Sequence, residues 1–228
     1  LNASGDCPVL VLNHGACQGH ERGIIVAEAK SREDLAEWAA KVDEDVLAAG
    51  GSDFFTAILE ARMGSLRFKA AFEVVPAAGP KLFVCGSASD SSRQAVKWAQ
   101  RLGIPVCPMP DALFGHVASP EWSAEQWMED VLGALRRESR AIVAIPQPVL
   151  KDRLLAYELS VHLAALVESV ISRIAIGELI LEGGATAQAV LGRLGWQALE
   201  VVGEYGPGVV QLCEPDRPGT LVTMKPGS

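Results

Sequence analysis

Short β-rich runs alternate with longer helical patterns along most of the 228 residues. The alternation is most regular after residue 80: KLFVCG at 81–86 predicts a strand, residues 90–102 a helix, and AIVAI at 141–145 another strand. This order favours an α/β fold with a mostly parallel sheet flanked by helices. The tail from 198 to 224 contains Gly-Pro turns and predicts three short strands, so we expect a β-rich C-terminal tail.

The alternation of strand and helix patterns is interrupted in the segment GSLRFKAAFEVVPAAGP at 64–80. Its periodicity is weak, and it ends in small residues, proline and glycine, which is typical of a connecting segment. We therefore predict a first domain over residues 1–65, a linker over 66–80 and a second domain over 81–228.

Two helices are predicted in the first domain. Apolar residues recur near a 3.6-residue period over 32–48, and Ser31 with Asp34 three positions later is the pattern of a capping box. A second helix is predicted over 53–63, with Ser52 as its N-cap.

Composition narrows the classes of partner. The net charge is −8 and the pI about 5.1, which argues against nucleic acid or an anionic membrane as the main partner. A small anionic ligand stays compatible, because local backbone donors can bind it. Five scattered cysteines, no signal peptide and no apolar run long enough to span a bilayer predict a cytoplasmic protein.

The loop after the strand at 179–182 is the first candidate binding site. Its sequence, Gly183-Gly184-Ala185-Thr186, opens a helix. Ligands of parallel sheets bind beyond the carboxyl ends of the strands, and a helix start offers unpaired N–H groups to a phosphate. Thr186 could cap the helix or donate its hydroxyl to a phosphate oxygen. A plain strand-to-helix turn explains the pattern about equally well.

Two further segments occupy comparable places. Gly86-Ser87-Ala88-Ser89 follows the strand at 81–86, although ordinary helix capping is the favoured explanation of its serines. The last predicted strand delivers Lys225 and Gly227 to a turn, where the lysine would suit a phosphate or would simply be solvated. Two loops of this kind in one sheet favour a shared ligand.

Other sites of chemistry are not supported. The chain has no GxxxxGK[ST] loop, no GxGxxG after a strand and no GxSxG elbow. Ligand types that suit zinc lie close together near the N-terminus, but without the usual CxxC pairing, so we predict no metal site of this kind. These residues are Cys7, His14, Cys17 and His20. No catalytic residue is assigned.

Four segments together resemble a known family: CGSAS, LILEGGATAQAVLGRLG, LEVVGEYGPGVVQL and LVTMKPG. Their order and spacing are similar to the C-terminal nucleotide-binding domain of the four-carbon acid sugar kinases, which include threonate, erythronate and 3-oxo-tetronate kinases. The resemblance covers roughly residues 80 to 228. Residues 23 to 63 also resemble the last part of that family's N-terminal domain.

The resemblance implies a function for each segment. Ser87 would contact ATP, the loop at 183–186 would wrap its phosphates, and Gly227 would close over the nucleotide with Lys225 beside it. Mg²⁺ would accompany the ATP, and a four-carbon sugar acid would accept the phosphoryl group. The implied ATP-binding residues are Ser87, Gly183, Gly184, Ala185, Thr186, Lys225 and Gly227.

The resemblance implies a kinase to which this chain supplies chiefly the ATP-binding domain. The family's N-terminal half carries the sugar-acid site, and most of that half has no counterpart here. Alternatives are a non-catalytic nucleotide- or metabolite-binding module, one half of a split enzyme, or an α/β domain whose glycine loops are only turns. We expect ATP and a sugar acid as partners, neither nucleic acid nor membrane, and leave a homo-oligomer open.

Overall fold

The computed structural model describes residues 8–12, 23–64, 73–87, 89–114, 121–146, 152–206, 208–216 and 219–226. The chain divides into two compact units, residues 1–69 and 70–228. The linker predicted at 66–80 stays a prediction, and residues 73–80 belong to the second unit.

The first unit contains two strands and two helices in its described part. Strand β1 (Val9–Leu12) pairs in parallel with β2 (Ile24–Ala27), and helix α1 (Arg32–Ala40) packs on α2 (Ser52–Met63). The predicted capping box is confirmed: the Ser31 hydroxyl accepts a bond from the Asp34 N–H, and the Asp34 carboxylate accepts one from the Ser31 N–H.

Two predictions in this unit were wrong. The helix predicted over 32–48 ends at Ala40 with Lys41 as its C-cap. The acidic segment 43–45 follows shortly after, and acidic side chains oppose the dipole at a helix C-terminus. The Asp43 carboxylate instead accepts a bond from the Asp45 N–H at 3.0 Å, which is a turn bond. Ser52 is not the N-cap of α2 but its first residue. The N-cap is Gly51, which has no side chain to bond the first N–H groups of the helix.

The second unit alternates strands and helices as predicted, and its fold is α/β. The elements are β3 (Lys81–Cys85), α3 (Asp90–Arg101), β4 (Val106–Pro108), a 3₁₀ turn (Asp111–Leu113), α4 (Glu121–Glu138), β5 (Arg140–Ala144), α5 (Arg153–Ile171), β6 (Glu178–Glu182), α6 (Gly184–Leu194), β7 (Glu200–Gly206), β8 (Val209–Cys213) and β9 (Leu221–Lys225). They form one seven-stranded sheet in the order β4-β5-β3-β6-β9-β8-β7. Strands β4, β5, β3, β6 and β9 pair in parallel, whereas β7 and β8 of the predicted β-rich tail pair antiparallel.

The two faces of the sheet differ in polarity. Leu82 and Val84 of β3, with Leu179 and Leu181 of β6, are fully buried in a core that includes α4, α5 and α6. Because side chains alternate along a strand, the neighbouring residues of β3 and β6 lie on the opposite face. That face carries Lys81, Cys85, Glu178 and Glu182. Gln211 of β8 lies on it too, and its amide exchanges bonds with the Val75 N–H and carbonyl at 2.8 and 3.0 Å.

Helix α5 is the most apolar helix. By length and composition alone Leu154–Ile171 could cross a membrane, so the prediction that no run was long enough was wrong. Packing in the core also explains why this helix is apolar, because Leu163, Val167 and Val170 are fully buried in the core cluster. We therefore interpret α5 as a core helix of this unit.

Candidate functional site

Three neighbouring parallel strands end together at one edge of the sheet. Cys85, Glu182 and Lys225, the last residues of β3, β6 and β9, are direct partners across the strands. Their side chains therefore stand in a row on the same face. This edge is the carboxyl end, where ligands of open α/β sheets bind.

Helix α6 begins at this edge and is not closed by a side-chain cap. Gly183 precedes it with a φ of 92°, a conformation that strongly favours glycine. The N–H of Ala187 bonds the Gly183 carbonyl at 3.0 Å, so the N–H groups of residues 184–186 lie ahead of the first bond of the helix. Thr186 is not the cap, since Gly183 holds that position, and its side chain is buried. Exposed backbone at Gly184 and Ala185 can therefore approach a ligand.

The loop after β3 packs directly against this helix start. A Cβ placed on Gly86 would lie 1.9 Å from the Thr186 hydroxyl oxygen, so only a residue without a side chain fits there. The Gly183 N–H donates to the Lys225 carbonyl at 3.0 Å, which joins the end of β9 to the same loop. The structure thus brings together three segments that the sequence singled out separately.

The serines near Gly86 divide into two roles. Ser89 is the N-cap of α3, and its hydroxyl accepts a bond from the Ser92 N–H at 3.2 Å, as the capping interpretation predicts. The Ser87 hydroxyl accepts a longer bond, 3.3 Å, from the Ser89 N–H. Ser87 itself is half-buried beside Gly86 and keeps a hydroxyl proton to donate.

Sequence reasoning missed the residue at the centre of the edge. The Glu182 carboxylate is nearly completely buried and accepts three bonds, from the Cys85 thiol at 2.9 Å, the Ser92 hydroxyl at 2.9 Å and the Lys225 ammonium at 2.7 Å. A signal existed, because glutamate is rarely buried unless it is paired, and Glu182 directly follows the apolar residues 179–181 of a central strand.

This network determines the ionisation of its members. Burial by itself would raise the pKa of Glu182, but the bonds from Cys85, Lys225 and Ser92 outweigh it, so the pKa is lowered. Burial, followed by the bond to Glu182, raises the pKa of Cys85 to about 12. Cys85 is therefore a thiol that donates a hydrogen bond, not a nucleophile.

We expect Cys85 to resist alkylation in the folded chain. The reactive species is the thiolate, which burial and the Glu182 carboxylate suppress. Iodoacetamide at about pH 8, near the ordinary pKa of a thiol, should leave Cys85 unmodified until denaturant is added. Mass mapping of the peptide around Cys85 measures this, and modification of the native chain at the rate found in denaturant would contradict it.

A second buried glutamate lies on the same strand and face, at the opposite end. Glu178 of β6 accepts bonds from Lys81 at 2.7 Å, Tyr205 at 2.9 Å and Thr223 at 2.7 Å. Burial again opposes ionisation, and the bonds from Lys81, Thr223 and Tyr205 again lower the pKa. Glu178 and Glu182 are thus similar in chemistry, but only Glu182 lies at the candidate site.

Both glutamates should make the chain acid-sensitive. A carboxyl group whose pKa is lowered on folding stabilises the folded state at pH values above its ordinary pKa of 4.5. This contribution is lost as pH falls through the folded-state pKa. Urea unfolding measured across this range should show a smaller loss of stability on acidification in Glu182→Gln than in the wild type. Glu200→Gln, at an exposed position, is the control. An unchanged acid dependence in Glu182→Gln would contradict the prediction.

Some predicted positions lie outside the described residues: Gly227, Cys7, His14, Cys17 and His20. Among the residues that the structure does describe, no group of three or more His, Cys, Asp or Glu side chains is arranged to hold a metal ion.

Two clefts lie away from the sheet edge. One, of about 300 Å³, lies between α4 and α5 and includes Trp127, His162 and Arg173 in its lining. The other, of about 760 Å³, lies between α1 and α2 of the first unit and includes Lys30, Arg32 and Asp53. Neither includes a residue of the three loops.

Residues 82–228 match the sequence model of a family described as the nucleotide-binding C-terminal domain. The chain belongs to this family. The match includes the candidate site from β3 to β9, so the nucleotide-binding domain comprises the sheet and its carboxyl edge. No curated protein matches the chain significantly.

Solved structures share the fold of this nucleotide-binding domain and the unit before it. A Salmonella typhimurium LT2 protein described as a candidate tRNA synthase is similar with a TM-score of 0.60 and 20% identity, over 90% of this chain and 50% of that one. A Haemophilus influenzae DUF1537 protein has a TM-score of 0.55 and 22% identity, over 91% of this chain and 50% of that one. A Bordetella bronchiseptica DUF1537 protein has a TM-score of 0.53 and 20% identity, over 96% of this chain and 55% of that one. The chain spans about half the length of these neighbours.

Proposed function

We propose that this chain supplies the ATP-binding domain of a kinase that phosphorylates a four-carbon sugar acid. The observation that carries the proposal is the convergence of the Gly86, Gly183-Gly184 and Lys225 segments at one carboxyl edge, in a domain of a nucleotide-binding family. The kinase assignment and the sugar acid rest on the sequence resemblance.

The geometry suggests how phosphates would be held. The N–H groups at the start of α6 would bind phosphate oxygens, because the helix dipole and unpaired donors favour an anion there. Ser87 could donate its hydroxyl to the nucleotide. Lys225 would contribute less net charge than a free lysine, since Glu182 already pairs with it at 2.7 Å.

Mg²⁺ would offset the negative charge of the phosphates when the nucleotide is bound. It often reaches kinase sites with few protein ligands, keeping water and phosphate oxygens in its coordination sphere. The described residues fit that mode, because they hold no dedicated cluster of carboxylates at the edge. The protein's own part would be positioning the phosphates and excluding water around them.

Calorimetric titration with a non-hydrolysable ATP analogue and Mg²⁺ tests the proposal. We expect binding, and a rise in the unfolding temperature because the ligand binds only the folded state. Turnover assays with threonate, erythronate and a 3-oxo-tetronate then test the substrate class. A folded chain that binds no nucleotide would refute the proposal.

Binding without turnover would favour the second candidate, a nucleotide-binding module or one half of a split enzyme. The observation behind this candidate is that the chain spans about half the length of its structural neighbours. The Bordetella bronchiseptica protein is described as a domain-swapped dimer with bound citrate, so we also propose that oligomeric state be measured for this chain. We further propose a cytoplasmic location, on its cysteine usage.

A further inference from the structure

Glu182 links all three segments of the candidate site. Its carboxylate accepts a hydrogen bond from the Lys225 ammonium, and the adjacent Gly183 N–H donates one to the Lys225 carbonyl at 3.0 Å. The end of β9 is therefore fastened to the start of the 183–186 loop by one side-chain bond and one backbone bond.

The carboxylate cannot readily turn away from this position. Cys85 bonds one of its oxygens, and Ser92 shares the other with Lys225. These two partners come from β3 and α3, so the carboxylate is held from the side opposite Lys225. Glu182 has only 4% of its side chain exposed, whereas Lys225 has 41%. The glutamate is thus the fixed member of the pair and the lysine the accessible one.

We propose that Glu182 is a positioning residue, which holds the end of β9 against the phosphate-binding loop through its ion pair with Lys225. The inference rests on the proposed nucleotide site. It assigns Glu182 no contact with the nucleotide: Glu182 acts through Lys225, and Cys85 and Ser92 act by keeping its carboxylate in place.

The strand itself offers a matched control. Glu178 is as deeply buried on the same face of β6, pairs with a half-exposed lysine at the same 2.7 Å and accepts two other bonds. It lies at the opposite end of the strand, away from the loops. Loss of a buried ion pair should therefore affect folding in both variants, but nucleotide binding only in one.

The first test measures affinity for the Mg²⁺ complex of an ATP analogue in Glu182→Gln, Glu178→Gln and Lys225→Met. We expect Glu182→Gln to weaken binding about tenfold, the loss typical of one charge-assisted bond, and Glu178→Gln to leave it unchanged. In a Lys225→Met background, Glu182→Gln should cause no further loss. Wild-type affinity in Glu182→Gln, or an equal loss in Glu178→Gln, would overturn the inference and leave the proposed function standing.

A second readout needs no ligand. The Gly183 amide, bonded to the Lys225 carbonyl, should exchange its hydrogen about tenfold faster in Glu182→Gln than in the wild type, with no change in Glu178→Gln. Equal exchange in Glu182→Gln and wild type would overturn the inference. This readout does not depend on nucleotide binding, whereas a wild-type chain that binds no nucleotide would refute the proposed function. If Glu182→Gln does not fold, Lys225→Met decides instead: wild-type affinity and Gly183 exchange in that variant would overturn the inference.

Discussion

Gly184→Val should abolish nucleotide binding while leaving the chain folded. A Cβ at Gly184 meets no atom within 4 Å, and Gly184 has an ordinary helical backbone, so the protein itself accommodates a side chain there. The side chain would occupy the space in front of the first N–H groups of α6, where the phosphates are proposed to lie. We expect a loss of affinity of at least about 100-fold, or about 2.8 kcal/mol.

Gly192→Val is the matched control for this variant. Gly192 lies in the same helix, and its Cβ would also meet nothing within 4 Å. The same substitution there tests the general cost of valine in α6 without touching the loop. Titration with the ATP analogue and thermal unfolding measure both effects. Unchanged affinity in folded Gly184→Val would remove the loop from the nucleotide site.

Gly86→Ala should destabilise the chain and weaken nucleotide binding together. Its Cβ would lie 1.9 Å from the Thr186 hydroxyl oxygen and 3.0 Å from the Thr186 Cβ, so the start of α6 must shift. Overpacking of a tightly packed contact costs about 1–3 kcal/mol. Because the displaced turn is the one proposed to bind phosphates, we expect affinity to fall about tenfold as well.

A double-mutant cycle identifies Thr186 as the cause. Thr186→Ala removes the hydroxyl and the methyl group that the new Cβ would meet, so Gly86→Ala should cost less in that background. Gly192→Ala serves as the control and should stabilise α6 slightly, since alanine favours a helix over glycine. Urea unfolding of the four variants measures the coupling. Additive losses in the cycle would refute the close contact between Gly86 and Thr186.

Local patterns were sufficient for the fold class and for the places of the loops proposed to bind the nucleotide. Residues 179–181 form the short continuous apolar run that is typical of a buried parallel strand, and two glycines after Glu182 predict the start of a helix. The Ser31 capping box was also predictable, because its partners lie within one turn. Helix ends were less predictable: α1 stops at Ala40, where an acidic segment overrides a continuing apolar period.

Contacts between distant segments could not be predicted in this way. Cys85 and Glu182 are 97 positions apart and become neighbours only because β3 and β6 pair side by side. By sequence Lys225 is a cation that either suits a phosphate or is simply solvated, and its pairing with Glu182 depends on β9 lying on the other side of β6. Sequence order gives no such neighbours, since the sheet order departs from the chain order.

The sequence alone therefore determined the alternation of strands and helices and the glycines that open α6, because backbone conformation and hydrophobic period are local properties. The tertiary structure alone decided that Gly86 must lack a side chain beside Thr186 and that a buried carboxylate fastens the end of β9 to the loop. Both depend on strand order and register, through which hydrogen bonds and close packing join residues that no local pattern connects.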